Sequence, residues 1–268
     1  MGPDAVGGVM AGLPRYLRLV EVVGTGGSGT VWRARDRRAG RDVAVKLIEL
    51  GNGSGDGGPD RTDRFEREAR ALARLRGVPG VVAVHALGRD GEGRAWIVTD
   101  LWPGGTLADR SFPVPAGEVV AMGEVLAGAL SRAHALEVVH GDVTPANVLL
   151  DGRGGVGLAD FGVAVLLGGR SVPGAAGSPS PLTPPPFTPD HAAPEVRDGA
   201  GPSPASDVFG LGATLRAATG PARGLDEVLA RCCDPDPARR PTAAGARELL
   251  AAERRRRDRA TRGRPGAG

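Results

Sequence analysis

Cysteine is almost absent from this sequence: two residues, adjacent at Cys232-Cys233, in a chain of 268. Neighbouring cysteines cannot easily cross-link each other, and no further thiol supplies a disulfide framework or a metal-ligand spacing. The pair is expected to pack on a helix in a reducing compartment. Long apolar runs are missing as well. No uninterrupted stretch reaches the roughly 18 residues that a membrane-spanning helix needs. The N-terminus shows no basic-then-apolar leader pattern, and Gly2 is not followed by the Ser or Thr that marks myristoylation. These absences point to a cytoplasmic protein. Aromatics are scarce at 3%, although 41% hydrophobic content keeps the composition globular.

What is abundant is glycine (44) and proline (23), with Arg greatly favoured over Lys, a coding bias that carries no mechanism. The formal charge of +3 is modest, and much of the excess sits at Arg254 to Arg257, Arg259, Arg262 and Arg264. Residues 253–268 hold almost nothing apolar and are expected to be disordered. Weak attraction to an anionic surface is the most they offer, and no specific nucleic-acid partner is expected. The length suits one large domain or two lobes with separate cores.

The stretch from His140 to Gly162 carries the strongest chemical signal. Asp142 and Asn147 stand in a polar loop, Val148 to Leu150 resumes as a short strand, and Asp160 follows another apolar pair. Two carboxylates and an amide at strand ends, facing a common space, suit phosphoryl transfer. One carboxylate orients a hydroxyl, while the other, with the amide, offers hard oxygen ligands to Mg²⁺.

Upstream, Gly24-Thr25-Gly26-Gly27-Ser28-Gly29 precedes the β-rich Thr30-Val31-Trp32. The glycines therefore read as a hairpin tip and not as the start of a helix. Such a tip can lay backbone N–H groups over phosphates, with Val31 packed on a base. Lys46 stands inside the apolar strand Asp42 to Ile48, where a buried ammonium needs an anionic partner. A helix is expected from about Arg61 to Arg76, with Phe65, Ala69, Leu72 and Leu75 at helical spacing. Glu66 and Glu68 both fall on this helix, Glu68 beside its inward face and Glu66 on the solvated one. Val81 to Leu87 and Arg94 to Asp100 read as strands, and Ala116 to Leu136 as a long buried helix.

Glycine loop, strand lysine, helix glutamate, Asp142 with Asn147, Asp160-Phe161-Gly162 and Ala193-Pro194-Glu195 follow one another in order. Together they resemble the protein kinases, most closely bacterial, actinobacterial-looking serine/threonine kinases of the eukaryotic-like type. The resemblance covers roughly residues 16–252. It implies an α+β fold in two lobes: an N-lobe over 16–99, a hinge over 100–105 and a C-lobe over 106–252, preceded by a flexible 1–15.

It further implies ATP as phosphoryl donor, with Mg²⁺ (or Mn²⁺) held by Asn147 and Asp160. Lys46 grips phosphates and Glu68 holds Lys46. The nucleotide would be surrounded by the glycine loop, Val31, Ala44, Thr99 as gatekeeper, the backbone of Asp100 and Trp102, and Leu149. Asp142 accepts the hydroxyl proton. His140 stacks on Phe161, Asp207 holds the loop backbone, Glu195 pairs with Arg240, and Ala164 to Pro189 forms the activation segment.

Three departures from the family pattern stand out. Thr144 replaces a lysine that contacts the γ-phosphate, weakening transition-state stabilisation by about one to a few kcal/mol. Gly141 replaces an arginine that pairs with a phosphorylated activation loop. Gly220 to Leu225 is too short for the usual substrate-docking insertion. The departures keep two alternatives to a protein kinase in view: a pseudokinase acting as a nucleotide-binding interaction module, and a small-molecule kinase.

Overall fold

The computed structural model describes residues 12–26, 29–48, 72–89, 94–161 and 190–262. The chain divides into two compact units, one of residues 1–76 and 82–103, the other of residues 77–81 and 104–268.

The first unit is a five-stranded sheet. Strands β1 (Leu17–Gly26), β2 (Gly29–Asp36), β3 (Arg41–Ile48), β4 (Val84–Arg89) and β5 (Ala95–Asp100) lie in the order β1-β2-β3-β5-β4, all neighbours antiparallel. Successive side chains of a strand point to opposite faces, so the register sorts the sequence into two sets. Ala34 pairs with Val43, and Val45 with Val98; with Leu17, Leu19 and Trp96 they form a buried apolar cluster. Val31 pairs with Lys46, Lys46 with Ile97, and Ala44 with Thr99, so these residues share the other face.

The second unit is mainly helical: α1 (Ala116–Ala135), α2 (Pro194–Arg197), α3 (Pro204–Thr219), α4 (Leu225–Cys232) and α5 (Ala243–Arg262). A small hairpin joins β6 (Val148–Leu150) to β7 (Val156–Leu158). Helix α1 packs against α3 and α5, burying Val119, Val120, Leu126 and Leu130. Gly123 permits that approach: a Cβ there would lie 2.8 Å from Leu215 and 3.0 Å from Leu250. Each fully buried Leu or Val contributes roughly 1.5–3 kcal/mol, and this packing makes α1 the rigid base beneath the loops. Cys232 closes α4 as a buried free thiol, its pKa pushed up to about 12 by burial, with Cys233 adding to the rise. Among the described residues, no helix is long and apolar enough to cross a membrane.

One sequence expectation fails here. Disorder was expected from residue 253, yet α5 continues to Arg262. The reason is Glu253, whose buried carboxylate accepts from Arg256 Nε at 2.7 Å and Arg257 Nε at 2.6 Å. Both guanidinium groups also donate to the carbonyl of Arg223. A run of charges read as solvated is thus fastened to its own unit. The expected 51–60 linker, most of the 61–76 helix and the 164–189 activation segment lie outside the described residues.

Candidate active site

In the first unit the glycine-rich hairpin is as the sequence implied: β1 and β2 pair to their tips, Gly26 opposite Gly29. Gly29 has φ +128°, and a Cβ there would collide with the Leu47 carbonyl, so only glycine fits. Gly27, Ser28 and Glu68 lie outside the described residues. Lys46 is 8% exposed on a central strand. It is also the only lysine in the sequence, among dozens of arginines. A coding bias that removes lysine everywhere else leaves it at this one buried strand position.

At the end of β5, the Asp100 N–H is taken by the Ala83 carbonyl at 3.2 Å. What Asp100 has to offer a base is therefore its carbonyl, which also accepts from Thr99 Oγ1 at 3.3 Å. The Asp100 side chain is tied to Arg41 at 2.6 Å and His85 at 2.7 Å. Burial would raise its carboxyl, but these two partners outweigh burial and hold it below its ordinary value.

In the second unit, α3 builds the loop that carries Asp142. Ser203 and Ser206 cap the helix reciprocally, at 3.1 and 2.8 Å, and Asp207 stands in its first turn. Asp207 is 1% exposed. Its two oxygens accept the backbone N–H groups of His140 and Gly141, each at 2.8 Å, and His134 Nε2 also reaches it at 2.8 Å. Seven residues on, and so on the same helix face, Thr214 Oγ1 donates to the Val143 carbonyl at 3.1 Å. Gly210 between them lets the helix approach: a Cβ there would stand 3.0 Å from that carbonyl. Gly141 has φ +86°, a conformation glycine adopts without strain.

Both ring nitrogens of His140 are engaged with the backbone. Its Nδ1 accepts the Asp142 N–H at 3.1 Å, so Nε2 carries the hydrogen and donates to the Ala159 carbonyl at 2.7 Å. Its ring meets Phe161 edge-on, with centroids 4.5 Å apart. The β6–β7 hairpin then sets Asn147 beside the strand leading to Asp160, because Ala159 N–H donates to the Asn147 carbonyl at 2.9 Å. Asp160 itself has φ +63°, a costly conformation for a non-glycine residue and one that gathers at functional sites. Asn147 Nδ2 donates to the Asp142 carbonyl at 2.7 Å and to its carboxylate at 3.1 Å. Leu149 sits in β6, bridged to Thr106.

Among the described residues no three His, Cys, Asp or Glu side chains gather as a cage for a metal ion. The oxygen ligands this loop offers are the Asp160 carboxylate and the Asn147 amide oxygen, the Asn147 amide nitrogen being spent on Asp142. Such a sparse, all-oxygen set fits a hard divalent cation that completes its shell with phosphates and water.

The Glu195–Arg240 pair is present as expected: Arg240 grips both carboxylate oxygens at 2.7 and 2.8 Å, and its guanidinium lies over Phe209. Sequence reasoning passed over His191, which lines a cleft together with Asp142, Ala193, Val196 and Ser206. The signal was available, since His191 is one of only four histidines and stands two residues before Ala193-Pro194-Glu195.

A strand lysine, a glycine hairpin, and a loop that binds Asp142 to Asn147 are the features by which the sequence resembles the protein kinases. The model of the protein kinase domain matches residues 17–220, and the chain belongs to that family. The serine/threonine-protein kinase PknK of Mycobacterium tuberculosis is 42% identical over 201 residues, which cover 73% of this chain and 17% of PknK. PknA of the same organism is 38% identical over 205 residues, 74% of this chain and 45% of PknA. This chain thus spans less than half the length of either relative. The crystal structure of the Mycobacterium tuberculosis PknI kinase domain superposes with a TM-score of 0.67 at 26% identity, covering 92% of this chain and 99% of that one. Membership of the family implies the use of ATP and a divalent metal ion.

Proposed function

We propose that this chain is a serine/threonine protein kinase that transfers the γ-phosphoryl group of ATP to protein hydroxyls. The observation that carries the reading is the Asp142–Asn147 pair, held by a loop whose backbone is fixed by buried Asp207. Asp142 orients the acceptor hydroxyl. As the hydroxyl oxygen bonds to the γ-phosphorus and the bond to ADP breaks, the hydroxyl proton passes to the Asp142 carboxylate. Asn147 keeps that carboxylate aimed.

Asn147 and Asp160 hold the metal, Mg²⁺ with Mn²⁺ as a substitute. The ion, when bound, neutralises charge on the phosphates. Lys46 pairs with the α- and β-phosphates, and Glu68 pairs with Lys46. The backbone of residues 24–29 covers the phosphates. Val31, Ala44, Thr99, Leu149 and the backbone of Asp100 and Trp102 enclose the base. Residues 16–99 and 106–252 act as the lobes about a hinge at 100–105. The protein works in the cytoplasm on polypeptide substrates. The relatives' names support the serine/threonine class, and the retention of Lys46, Asp142, Asn147 and Asp160 supports catalysis over a purely nucleotide-sensing role.

The test is incubation with γ-labelled ATP and Mg²⁺, with and without a protein acceptor, followed by phosphoamino-acid analysis. Label on Ser or Thr is expected. Nucleotide binding without transfer would show a pseudokinase, and transfer confined to small molecules would show the third class.

A further inference from the structure

Three polar side chains meet at one end of the five-stranded sheet: Arg41 opens β3, Asp100 closes β5, and His85 stands in β4. Val84 pairs with Thr99 and Ala86 with Val98, so His85 is the extra residue of a bulge. A bulge of this kind re-aims a side chain. Here His85 Nε2 lies 2.7 Å from the Asp100 carboxylate and 2.7 Å from a terminal nitrogen of Arg41. The other terminal nitrogen of Arg41 donates to the same carboxylate oxygen at 2.6 Å.

One ring nitrogen thus faces two partners with opposite demands. A guanidinium N–H can only donate, and an ionised carboxylate can only accept. Asp100 is kept ionised: burial raises its carboxyl, but Arg41 and His85 outweigh burial and hold it below the ordinary value. With a lone pair on Nε2, His85 accepts from Arg41, and each terminal nitrogen of the guanidinium finds an acceptor. With a hydrogen on Nε2, His85 donates to Asp100 and sets its N–H against that of Arg41. Among the described residues, the other cation on His85 is Arg76, which donates to its carbonyl at 3.3 Å. Asp42, next to Arg41 on β3, pairs with Arg33 and Arg35.

We propose that His85 and Arg41 are positioning residues for the nucleotide base, and that a proton on His85 undoes their arrangement. This rests on the kinase reading above, which gives the Asp100 carbonyl to the base. In the neutral ring the hydrogen is on Nδ1, and Arg41 joins His85 to Asp100 across the ends of three strands. Ala44 and Thr99, which enclose the base in that reading, are paired in the register step next to Asp100. The imidazolium puts a hydrogen on Nε2, takes Asp100 for itself and repels Arg41. Release of Arg41 removes the side-chain tie between β3 and β5. Asp100 is then less firmly placed, and affinity for the base falls in acid.

The experiment measures adenosine affinity by calorimetry from about pH 5.5 to 8, within the interval in which imidazoles titrate. Adenosine carries the base without phosphates, whose own protonation would overlay an ATP profile. The full chain is compared with His85→Gln, whose amide offers an acceptor to Arg41 and a donor to Asp100 at every pH. The second variant is Arg41→Met, which keeps the length and removes the donors. The unsubstituted chain should lose about fivefold in affinity between about pH 7.5 and 5.5, equivalent to one hydrogen bond. His85→Gln should hold its neutral affinity throughout, and Arg41→Met should show the weakened value at both ends. Nitrogen-resolved NMR of the imidazoles should place the His85 hydrogen on Nδ1 at about pH 7.5. If Arg41→Met fails to fold, the His85→Gln profile and the NMR decide. A hydrogen on Nε2 at that pH, a flat profile in the unsubstituted chain, or an acid limb that persists in His85→Gln overturns the proposal and leaves the kinase reading intact. Failure of the unsubstituted chain to bind either adenosine or ATP with Mg²⁺ at neutral pH would overturn both.

Discussion

Asn147 spends one amide nitrogen twice on the same residue, donating to the Asp142 carbonyl at 2.7 Å and to its carboxylate at 3.1 Å. The first bond closes the loop and the second aims the acid, so loop shape and carboxylate direction are not independent. Kinase chemistry is mostly positioning, which makes this coupling the place where a small change has a large effect.

We predict that Asp142→Asn lowers phosphoryl transfer by more than tenfold, over about 1.4 kcal/mol, while ATP-metal binding stays near the unsubstituted level. In the proposed mechanism Asp142 faces the hydroxyl and not the nucleotide. Asp160→Asn should weaken metal-dependent nucleotide binding as well. Rates from labelled ATP, set beside nucleotide affinity by calorimetry, check both. An Asp142→Asn enzyme with more than about a tenth of normal activity would remove Asp142 from its role.

The Glu195–Arg240 pair should make the second unit acid-labile. Burial alone would raise the Glu195 carboxyl, but the Arg240 hydrogen bond leads the opposing effects and leaves it below its ordinary value. A carboxyl with a lower value folded than unfolded adds stability that is complete above the unfolded value. That stability is lost as pH falls through the folded one. Urea unfolding midpoints should thus decline more steeply below about pH 4 in the unsubstituted chain than in Glu195→Gln. Arg240→Ala, at a side chain with 0% exposure, should cost about 3–5 kcal/mol at neutral pH because Glu195 is left unpaired.

Truncation separates the two halves of the basic C-terminal stretch. Ending the chain after Leu250-Ala251-Ala252 removes buried Glu253 with both arginines that hold it against the Arg223 carbonyl. The expected loss is about 1–2 kcal/mol, a fall in melting temperature of roughly 3–6 °C by scanning calorimetry. Ending it after Arg262 should leave the melting temperature unchanged. Equal values for the two truncations would mean that Glu253 does not anchor the helix.

Gly141 bears on regulation. It offers no cation to a phosphorylated segment, and its φ of +86° makes an arginine there strained. Phosphate on Ser171, Ser178, Ser180, Thr183 or Thr188 is therefore expected not to switch the site on. Those residues lie outside the described part of the structure, so the prediction rests on Gly141. Phosphatase treatment, with loss of phosphate verified by mass spectrometry, should leave the initial rate on an exogenous substrate within about twofold. A tenfold fall would mean that another basic residue has taken the arginine's place.

Much of the molecule was determined by the sequence alone, wherever the controlling interaction is local. An apolar run marked the strand with Lys46, glycine spacing marked a hairpin tip, and the order of Asp142, Asn147 and Asp160 marked the chemistry. The ring contact of His140 with Phe161 and the Glu195–Arg240 pair were legible through resemblance to a family. Tertiary structure alone decided the rest, because burial and partners come from residues distant in the chain. Nothing in the Arg254 to Arg257 run says that Glu253 will be buried at its edge and turn a charged tail into nearly three more turns of helix. Nothing local to His191 says that one of its nitrogens is sealed while its ring shares a cleft with Asp142, 49 residues earlier in the sequence. The sequence names the groups, but which of them lose water, and against what, is set only when the chain closes on itself.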